Sequence, residues 1–224
     1  MQNNPSSEYR RICEIFRRFR KRQAEPKGEL EHVNEFTLLV AVVLSAQATD
    51  AGVNRATPDL FRIADTPERM LQLGEEGLIA HIKSIGLYRN KARNVIKLSQ
   101  ILHEEYGGVV PSSRAALQSL PGVGRKTANV LLNMWFRHPA QAVDTHIFRV
   151  GNRTGIAPGR TVEDVERAIE DKVPVEFQQH AHHWLILHGR YVCRARKPDC
   201  GRCLIEDLCP FEEKSTAAAG GNQG

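Results

Sequence analysis

Apolar residues recur at helical spacing along almost the whole chain. In residues 10–22, RRICEIFRRFRKR, the four apolar residues Ile12, Ile15, Phe16 and Phe19 fall on one face of a helix whose other face is basic. Residues 36–48 are apolar with little alternation, which predicts a buried helix. The same periodicity predicts further helices over 67–80, 88–105, 113–120, 125–137, 161–172 and 175–189. Because no stretch shows strand alternation bounded by turn residues, the predicted fold class is all-α.

A weak internal repeat appears at an offset of 35 residues. Ser84 to Leu87, followed by Lys91 to Ile96, lines up with Ser119 to Gly122, followed by Lys126 to Leu131. Helix hairpins share composition, so chance similarity is the alternative. If the repeat is real, the fold contains two helix hairpins, and Lys91 occupies the place that Lys126 has in the second.

Composition and charge argue against a membrane-spanning protein but leave the kind of partner open. Charged residues make up 25% and hydrophobic residues 41% of the 224 positions, as in ordinary globular proteins. No apolar run approaches the ~20 residues of a membrane helix, and the N-terminus has no apolar signal core, so we expect a cytoplasmic protein. The net charge of +5 is compatible with a polyanionic partner or with an ordinary basic protein. For the basic helix, phosphate contact, membrane-surface contact and a solvated surface all stay open.

The segment Leu120-Pro121-Gly122-Val123-Gly124-Arg125-Lys126-Thr127 contains two glycines in a three-residue turn before a predicted helix. Glycines permit unusual backbone conformations and close approach to amide groups, and a helix start attracts anions. A P-loop or a Rossmann turn would need different glycine spacing and a preceding strand. The remaining interpretations are a helix-hairpin-helix that grips a nucleic-acid backbone, or a plain helix hairpin.

Four of the five cysteines form the pattern Cys-x6-Cys-x2-Cys-x5-Cys. Four thiols so close together in a presumed cytoplasmic protein indicate metal rather than disulfides. Both zinc and a [4Fe-4S] cluster accept four cysteines, and the spacing alone leaves both open. The fifth, Cys13, is predicted to be a small packing residue. The four clustered cysteines are Cys193, Cys200, Cys203 and Cys209.

Several motifs together resemble the bacterial endonuclease III family of helix-hairpin-helix DNA glycosylases with apurinic/apyrimidinic lyase activity. The similarity runs from about residue 8 to 213. It rests on the hairpin above and on four further motifs, which are Leu44-Ser45-Ala46-Gln47-Ala48-Thr49-Asp50, Ile85-Gly86-Leu87-Tyr88, Val143-Asp144-Thr145-His146-Ile147-Phe148-Arg149-Val150 and His183-Trp184-Leu185-Ile186-Leu187-His188-Gly189-Arg190.

The resemblance implies a role for each site residue. Lys126 is expected to be the nucleophile and Asp144 the catalytic carboxylate. Gln47 and Leu87 would enter the duplex and fill the gap left by an extruded nucleotide. The four clustered cysteines would hold a [4Fe-4S] cluster that has a structural role. The remaining residues would contact DNA phosphates, namely Gly122, Gly124 and Arg125 in the hairpin and Arg194, Arg196 and Lys197 in the loop between the first two clustered cysteines.

These roles have a chemical rationale. Positive charge develops at the sugar carbon when the base leaves, and a carboxylate such as Asp144 stabilises it. A lysine amine can attack that carbon and form a Schiff base, but it must first lose its proton from a reference pKa of ~10.4. Desolvation, Arg125 and the helix start all favour the neutral amine. The alternative roles are a helix N-cap for Asp144, a phosphate contact for Lys126, a capping amide for Gln47 and a buried core position for Leu87.

The resemblance implies a base excision repair enzyme that removes oxidised pyrimidines and nicks 3′ to the abasic site. Its partner would be double-stranded DNA with damaged bases or abasic sites, and we expect a monomer in the cytoplasm, associated with the nucleoid. The rival functions are an adenine-mismatch glycosylase without lyase activity and a non-catalytic iron–sulfur DNA-binding module. The expected domains are a six-helix domain over 28–138 that contains the hairpin, an iron–sulfur cluster domain made of 1–27 and 139–213, and a disordered tail over 214–224.

Overall fold

The computed structural model describes residues 6–215, and every regular element within them is helical. The predicted all-α fold class is therefore confirmed for this part of the chain. The chain divides into two compact units, one formed by Gly28–His138 and the other by Met1–Lys27 together with Pro139–Gly224. We call them the hairpin unit and the cysteine unit. No helix within the described range is long and apolar enough to cross a membrane.

The hairpin unit contains seven α-helices. Its centre is α2, in which every residue from Phe36 to Leu44 is buried, as the continuous apolar run predicts. The side chains of Asn34 and Thr37 form a capping box that fixes the start of this helix. The helices are α2 (Glu35–Ser45), α3 (Asp50–Ala56), α4 (Pro58–Ile63), α5 (Pro67–Ile82), α6 (Tyr88–Tyr106), α7 (Arg114–Gln118) and α8 (Arg125–Met134).

The cysteine unit is built on the amphipathic helix at the start of the chain, α1 (Ser7–Arg22). The four apolar residues predicted for its inner face are all buried, and the ring of Phe16 stacks on that of Phe177 at 5.7 Å. The unit also contains two short 3-10 helices, Cys200–Arg202 and Glu206–Leu208. Its other α-helices are α9 (Thr145–Thr154), α10 (Val162–Lys172) and α11 (Val175–Tyr191).

The two predicted hairpins have matching turns at the offset of 35 residues. The Ile85 N–H donates to the Ile82 carbonyl at 2.8 Å, and the Leu120 N–H donates to the Leu117 carbonyl at 3.2 Å. The next equivalent pair, Leu87 and Gly122, both have positive φ, 59° and 81°. The lysines differ, because Lys91 is buried whereas Lys126 is exposed.

Three helices were absent from the sequence prediction, namely α3, α4 and α9. The first two are seven and six residues long and meet at Thr57, where Pro58 begins the second. A periodic apolar pattern hardly develops over so few residues. The sequence of α9, THIFRVGNRT, contains glycine and several β-branched residues, all weak helix formers. Packing rather than propensity therefore forms α9.

Helix ends also differ from the prediction. The apolar run expected to be helical to residue 48 ends as a helix at Ser45, and the helix expected over 125–137 ends at Met134. Beyond α8 the chain turns back through Arg137, whose φ is 58°. Of the predicted disordered tail, Lys214 donates to the Glu206 carbonyl at 2.9 Å and Ser215 to the Pro198 carbonyl, while residues 216–224 lie outside the described part.

Candidate active site

The turn of the second hairpin depends on Gly122. Its φ of 81° lies in the left-handed region, where residues with a side chain are strained. A Cβ here would also lie 3.1 Å from two side-chain atoms of Asn94 and 3.3 Å from Val43 Cγ1. The Val123 N–H donates to the Leu120 carbonyl at 3.1 Å and closes the turn. Glycine is thus required at this position for both conformation and space.

Gly124 has a different function from the conformational one predicted. It is the N-cap of α8 with an ordinary φ of −87°, and it provides no side-chain hydrogen bond to the helix. A Cβ at this position would have no atom within 4 Å. The start of α8 is therefore sterically open, and the positive end of its helix dipole points into that opening.

Arg125 and Lys126 are the first two residues of α8, and both are exposed. The helix begins at the residue predicted for it. Both side chains are therefore accessible to a ligand at the start of α8.

Asp144 is the N-cap of α9. Its Oδ1 atom accepts hydrogen bonds from the backbone N–H groups of His146 and Ile147, both at 2.9 Å, and the residue is half-buried. The flanking Val143 and Ile147 are buried and anchor the helix start. The cap interpretation is confirmed and leaves a catalytic role possible for the same carboxylate. Lys126 and Asp144 belong to different units, so their approach to one another stays a prediction.

The start of α9 is held tightly against α11. A Cβ on Gly189 would lie 2.9 Å from His146 Cβ and 3.1 Å from the His146 carbonyl oxygen. On the same helix, Arg149 donates from Nη2 to the Gly189 carbonyl at 2.7 Å and from Nε to the Cys193 carbonyl at 2.9 Å. The helix that carries Asp144 is thereby fixed to α11 and to the first clustered cysteine. The sequence analysis did not single out Gly189, or Arg149 in this role.

Gln47 and Leu87, the predicted duplex-entering residues, are both exposed and both have left-handed backbones, with φ of 55° and 59°. Leu87 is 58% exposed, so the alternative of a buried core leucine is wrong. The N-cap of α3 is Thr49 rather than Gln47. Such conformations are uncommon for residues with a Cβ and are typical of functional loops.

The four clustered cysteines surround one cavity of about 360 Å³, counting its open mouth. All four are half-buried, whereas Cys13 is buried in the core, as predicted. Within the described part of the chain, no three or more Cys, His, Asp or Glu side chains form a group that could hold a single metal ion. A tetrahedral zinc ion needs all sulfurs about 2.3 Å from one point, whereas an iron–sulfur cluster binds its thiolates at separate iron atoms. Four thiols around one cavity are a donor set that an iron–sulfur cluster accepts, with each thiolate bound to its own iron atom.

The surroundings of the cavity also fit a cationic centre bound by thiolates. Burial raises the pKa of the Cys203 thiol to about 11 and also raises the pKa of Cys209. A bound metal centre would stabilise their thiolates. His188 Nε2 lies 3.7 Å from Cys203 Sγ, and burial, with a smaller effect of Arg22, lowers the pKa of this histidine to about 4. The Arg153 guanidinium lies 3.7 Å from Cys193 Sγ.

The basic loop between Cys193 and Cys200 is exposed at all three predicted contact residues, Arg194, Arg196 and Lys197. Arg153 supports its backbone by donating to the Arg194 carbonyl at 2.8 Å and to the Ala195 carbonyl at 3.0 Å. The loop is thus presented by the same residue that contacts Cys193. The sequence signal for Arg153 was weak, namely a second arginine four positions after Arg149.

Residues 40–175 match the HhH-GPD superfamily of base excision DNA repair proteins, and residues 193–209 match the iron–sulfur binding domain of endonuclease III. The second match begins at Cys193 and ends at Cys209. The chain is also 58% identical over 201 residues to endonuclease III of Escherichia coli strain K12, covering 90% of this chain and 95% of that protein.

The chain belongs to the endonuclease III family. Endonuclease III of Haemophilus influenzae is 56% identical with the same 90% and 95% coverage. Among solved structures, a non-covalent endonuclease III–DNA complex has a TM-score of 0.83 and a trapped endonuclease III–DNA covalent intermediate one of 0.82. Both are 44% identical and cover 90% of this chain and 95% of theirs.

Membership in the endonuclease III family confirms the predicted activity class. The chain is a base excision repair DNA glycosylase with apurinic/apyrimidinic lyase activity, and it carries an iron–sulfur binding domain, consistent with the [4Fe-4S] cluster of endonuclease III. Neither the adenine-mismatch glycosylase nor the non-catalytic iron–sulfur module is favoured.

Proposed function

We propose that Lys126 is the nucleophile of both the glycosylase and the lyase step, acting on oxidised pyrimidines in double-stranded DNA. One observation carries this proposal: an exposed lysine stands in the first turn of a helix whose start is open and lacks a side-chain cap. A phosphate bound at that helix start would bring the neighbouring sugar within reach of the amine. The trapped covalent DNA complex of a relative is consistent with this chemistry.

The remaining DNA contacts follow from exposure and charge. Gly122, Gly124 and Arg125 grip the backbone next to the lesion, and the loop with Arg194, Arg196 and Lys197 contacts further phosphates. Gln47 offers hydrogen bonds to the orphaned partner base, while Leu87 acts as an apolar wedge. Damaged bases stack and pair poorly, so their extrusion costs less than the few kcal/mol needed for a normal base.

The covalent step balances as follows. The Lys126 amine forms a bond to the sugar C1′, the bond from C1′ to the base breaks with its electron pair going to the base, and the departing base is protonated. Asp144 stabilises the positive charge that develops at C1′ and accepts the proton released by the amine. The sugar ring then opens: the C1′–O4′ bond breaks with its electron pair going to O4′, O4′ takes up the proton that Asp144 accepted, and the nitrogen lone pair forms the iminium. The iminium loses a C2′ proton to water, and the 3′ phosphate leaves with the C3′–O electron pair.

Bound DNA would cover the Lys126 amine. In the free enzyme Lys126 is exposed, and a duplex seated on the open start of α8 would exclude water from the amine. Desolvation disfavours the ammonium form, and the positive end of the α8 dipole acts in the same direction. The nucleophile is on this account activated by substrate binding.

Cys193, Cys200, Cys203 and Cys209 would hold a [4Fe-4S] cluster, which when bound supplies a covalent cross-link within the last part of the chain. Arg153 and His188 would hydrogen-bond to its thiolates. The basic loop is held in place by this arrangement. We further propose that the enzyme works as a monomer on chromosomal DNA in the cytoplasm. Analytical ultracentrifugation at micromolar concentration tests the oligomeric state by measuring the molecular mass in solution.

Borohydride reduction of the iminium tests the proposal directly. Wild type should form a covalent protein–DNA adduct on a duplex containing an oxidised pyrimidine, and Lys126→Ala should form none while still binding the duplex. Loss of binding in Lys126→Ala would indicate a phosphate contact instead. An adduct of undiminished yield with Lys126→Ala would refute the nucleophile assignment.

A further inference from the structure

The basic helix α1 has a surface that the proposed chemistry does not use. Seven basic residues lie between Arg10 and Arg22, and its apolar face is buried in the core. At 100° per residue, the positions opposite that buried face are Arg10, Glu14, Arg17 and Lys21. Three of these four are basic, and Arg10, Arg17 and Lys21 are exposed. We call these three residues the α1 stripe.

Three of the other basic residues of α1 have structural partners on its flanks. Arg11 donates to the Thr154, Gly155 and Leu208 carbonyls at 2.8–3.2 Å. Arg18 pairs with Asp207 and also donates to the Leu204 carbonyl at 2.9 Å. Arg20 pairs with Glu176 at 2.8 Å. These contacts hold α1 rigidly on the cysteine unit and fix the direction in which the stripe faces.

The charges of Arg17 and Lys21, two of the three stripe residues, are only weakly compensated by the acid on the same face. Glu14 is the acid of this face, and Arg18 already engages it at 3.1 Å. Its distance to Arg17 is 3.8 Å between exposed side chains, an arrangement that contributes little. The stripe extends over twelve residues, a rise of about 16 Å along the helix. A rigid row of cations of this length is complementary to the regularly spaced phosphates of a nucleic-acid backbone.

We propose that the α1 stripe is a second DNA-binding surface, which contacts the phosphate backbone of undamaged duplex without reading its sequence. This extends the proposed function, since it rests on DNA as the partner, but it does not involve Lys126 or Asp144. The stripe increases the affinity for bulk DNA and so keeps the enzyme on the duplex between lesions. It has no part in the bond-breaking steps.

Salt dependence provides a quantitative test. Each phosphate contact contributes about −0.9 to the slope of log affinity against log salt concentration, so two contacts contribute about −1.8. Holoenzyme with Arg17→Ala and Lys21→Ala should therefore show a slope for an undamaged duplex that is shallower by about 1.8. The affinity advantage of the wild type should accordingly fall about twelve-fold between 50 and 200 mM salt. Adduct yield on saturating lesion duplex should be unchanged.

A matched control removes two exposed basic residues elsewhere in the cysteine unit, Arg160→Ala and Arg167→Ala, at the acidic helix α10. It should leave the slope unchanged. Equal slopes in wild type and in the Arg17/Lys21 variant would overturn the proposal, as would loss of binding to anionic phosphatidylserine vesicles with DNA affinity intact. Failure of the proposed Lys126 chemistry would be distinguishable from failure of the stripe proposal, because the wild type would then form no adduct.

Discussion

Asp144 combines two properties at the scale of the single residue, the geometry of a helix cap and a negative charge. Its Oδ1 atom accepts two hydrogen bonds from backbone N–H groups in the first turn of α9. Asparagine is as good an N-cap as aspartate but is neutral, whereas alanine lacks both properties. Substitution at this one position can therefore separate the structural role from the catalytic one.

We expect Asp144→Asn to lower the single-turnover rate of base removal by about 100-fold or more, with little change in thermal stability. Asp144→Ala should lose a similar amount of activity and in addition about 1 kcal/mol of unfolding free energy. Rapid-quench kinetics and thermal melting provide the two readouts. Near-normal rates in the asparagine variant would leave Asp144 with the cap as its role.

Lys91 is the repeat counterpart of Lys126, but its Nζ is buried and has no hydrogen-bond partner among the described residues. Burial lowers its pKa from the ordinary 10.5, so between the folded and unfolded pKa values the unfolded chain binds more protons. Wild-type stability thus falls as the pH drops through that window. Lys91→Met should raise the unfolding free energy by about 1–2 kcal/mol at neutral pH, and by less near pH 10.5.

Denaturant titrations at the two pH values check this prediction, and borohydride adducts should form normally in Lys91→Met. Destabilisation by the methionine, or loss of the adduct, would contradict it. The sequence could identify Lys91 as the counterpart of Lys126, because the repeat is local. It could not show that one lysine is buried and the other exposed, since burial depends on the helices packed around each hairpin.

At the scale of elements, the contact between α9 and α11 positions Asp144 at the start of α9. Gly189 leaves no room for a side chain beside His146, and Gly151 on α9 leaves little, since a Cβ there would lie 3.0 Å from the Ala157 carbonyl oxygen. The long amphipathic helices were predictable because their periodicity is a property of local sequence. Helix α9 has the same spacing of buried positions, Ile147, Val150, Gly151 and Thr154, but the prediction missed it because its glycine and β-branched residues have weak helix propensity.

Gly189→Ala should force α9 away from α11 at its first turn, adjacent to Asp144. Overpacking of this kind costs about 1–3 kcal/mol, and we expect base removal to slow as well because the carboxylate is displaced. Val175→Ala is the control, since Val175 is on α11 but 85% exposed. Thermal melting and single-turnover kinetics measure both effects. An alanine variant as stable and active as Val175→Ala would show that the contact can relax.

At the scale of the whole molecule, hydrogen bonds join the segment that contains the clustered cysteines to α1. Arg11 and Arg18 on α1 hold the carbonyls of Leu208 and Leu204, while Arg153 on α9 holds those of Arg194 and Ala195. The cysteine spacing was enough to predict a metal centre. It could not predict these arginine contacts, which join segments up to 197 residues apart in sequence.

Removing one clustered cysteine should therefore affect the entire cysteine unit. Cys203→Ala should lose iron and visible absorbance and melt at a markedly lower temperature, because the cluster's cross-link is lost. Cys13→Ala, a buried cysteine remote in sequence, should keep full iron content and colour. Elemental analysis measures the iron content of both variants, and melting curves measure their thermal stability. Full iron in Cys203→Ala would remove this residue from the ligand set.

If Gln47 and Leu87 enter the duplex as we propose, their left-handed backbones have a consequence for how rare lesions are found. Undamaged base pairs vastly outnumber damaged ones, so nearly every encounter of the enzyme with DNA ends in rejection. Loop tips that were flexible would lose conformational entropy, of order 1–2 kcal/mol per residue, at each of those encounters. Tips already held in their strained conformation incur this cost once, during folding. The enzyme can then test many undamaged base pairs with little entropic cost at each encounter.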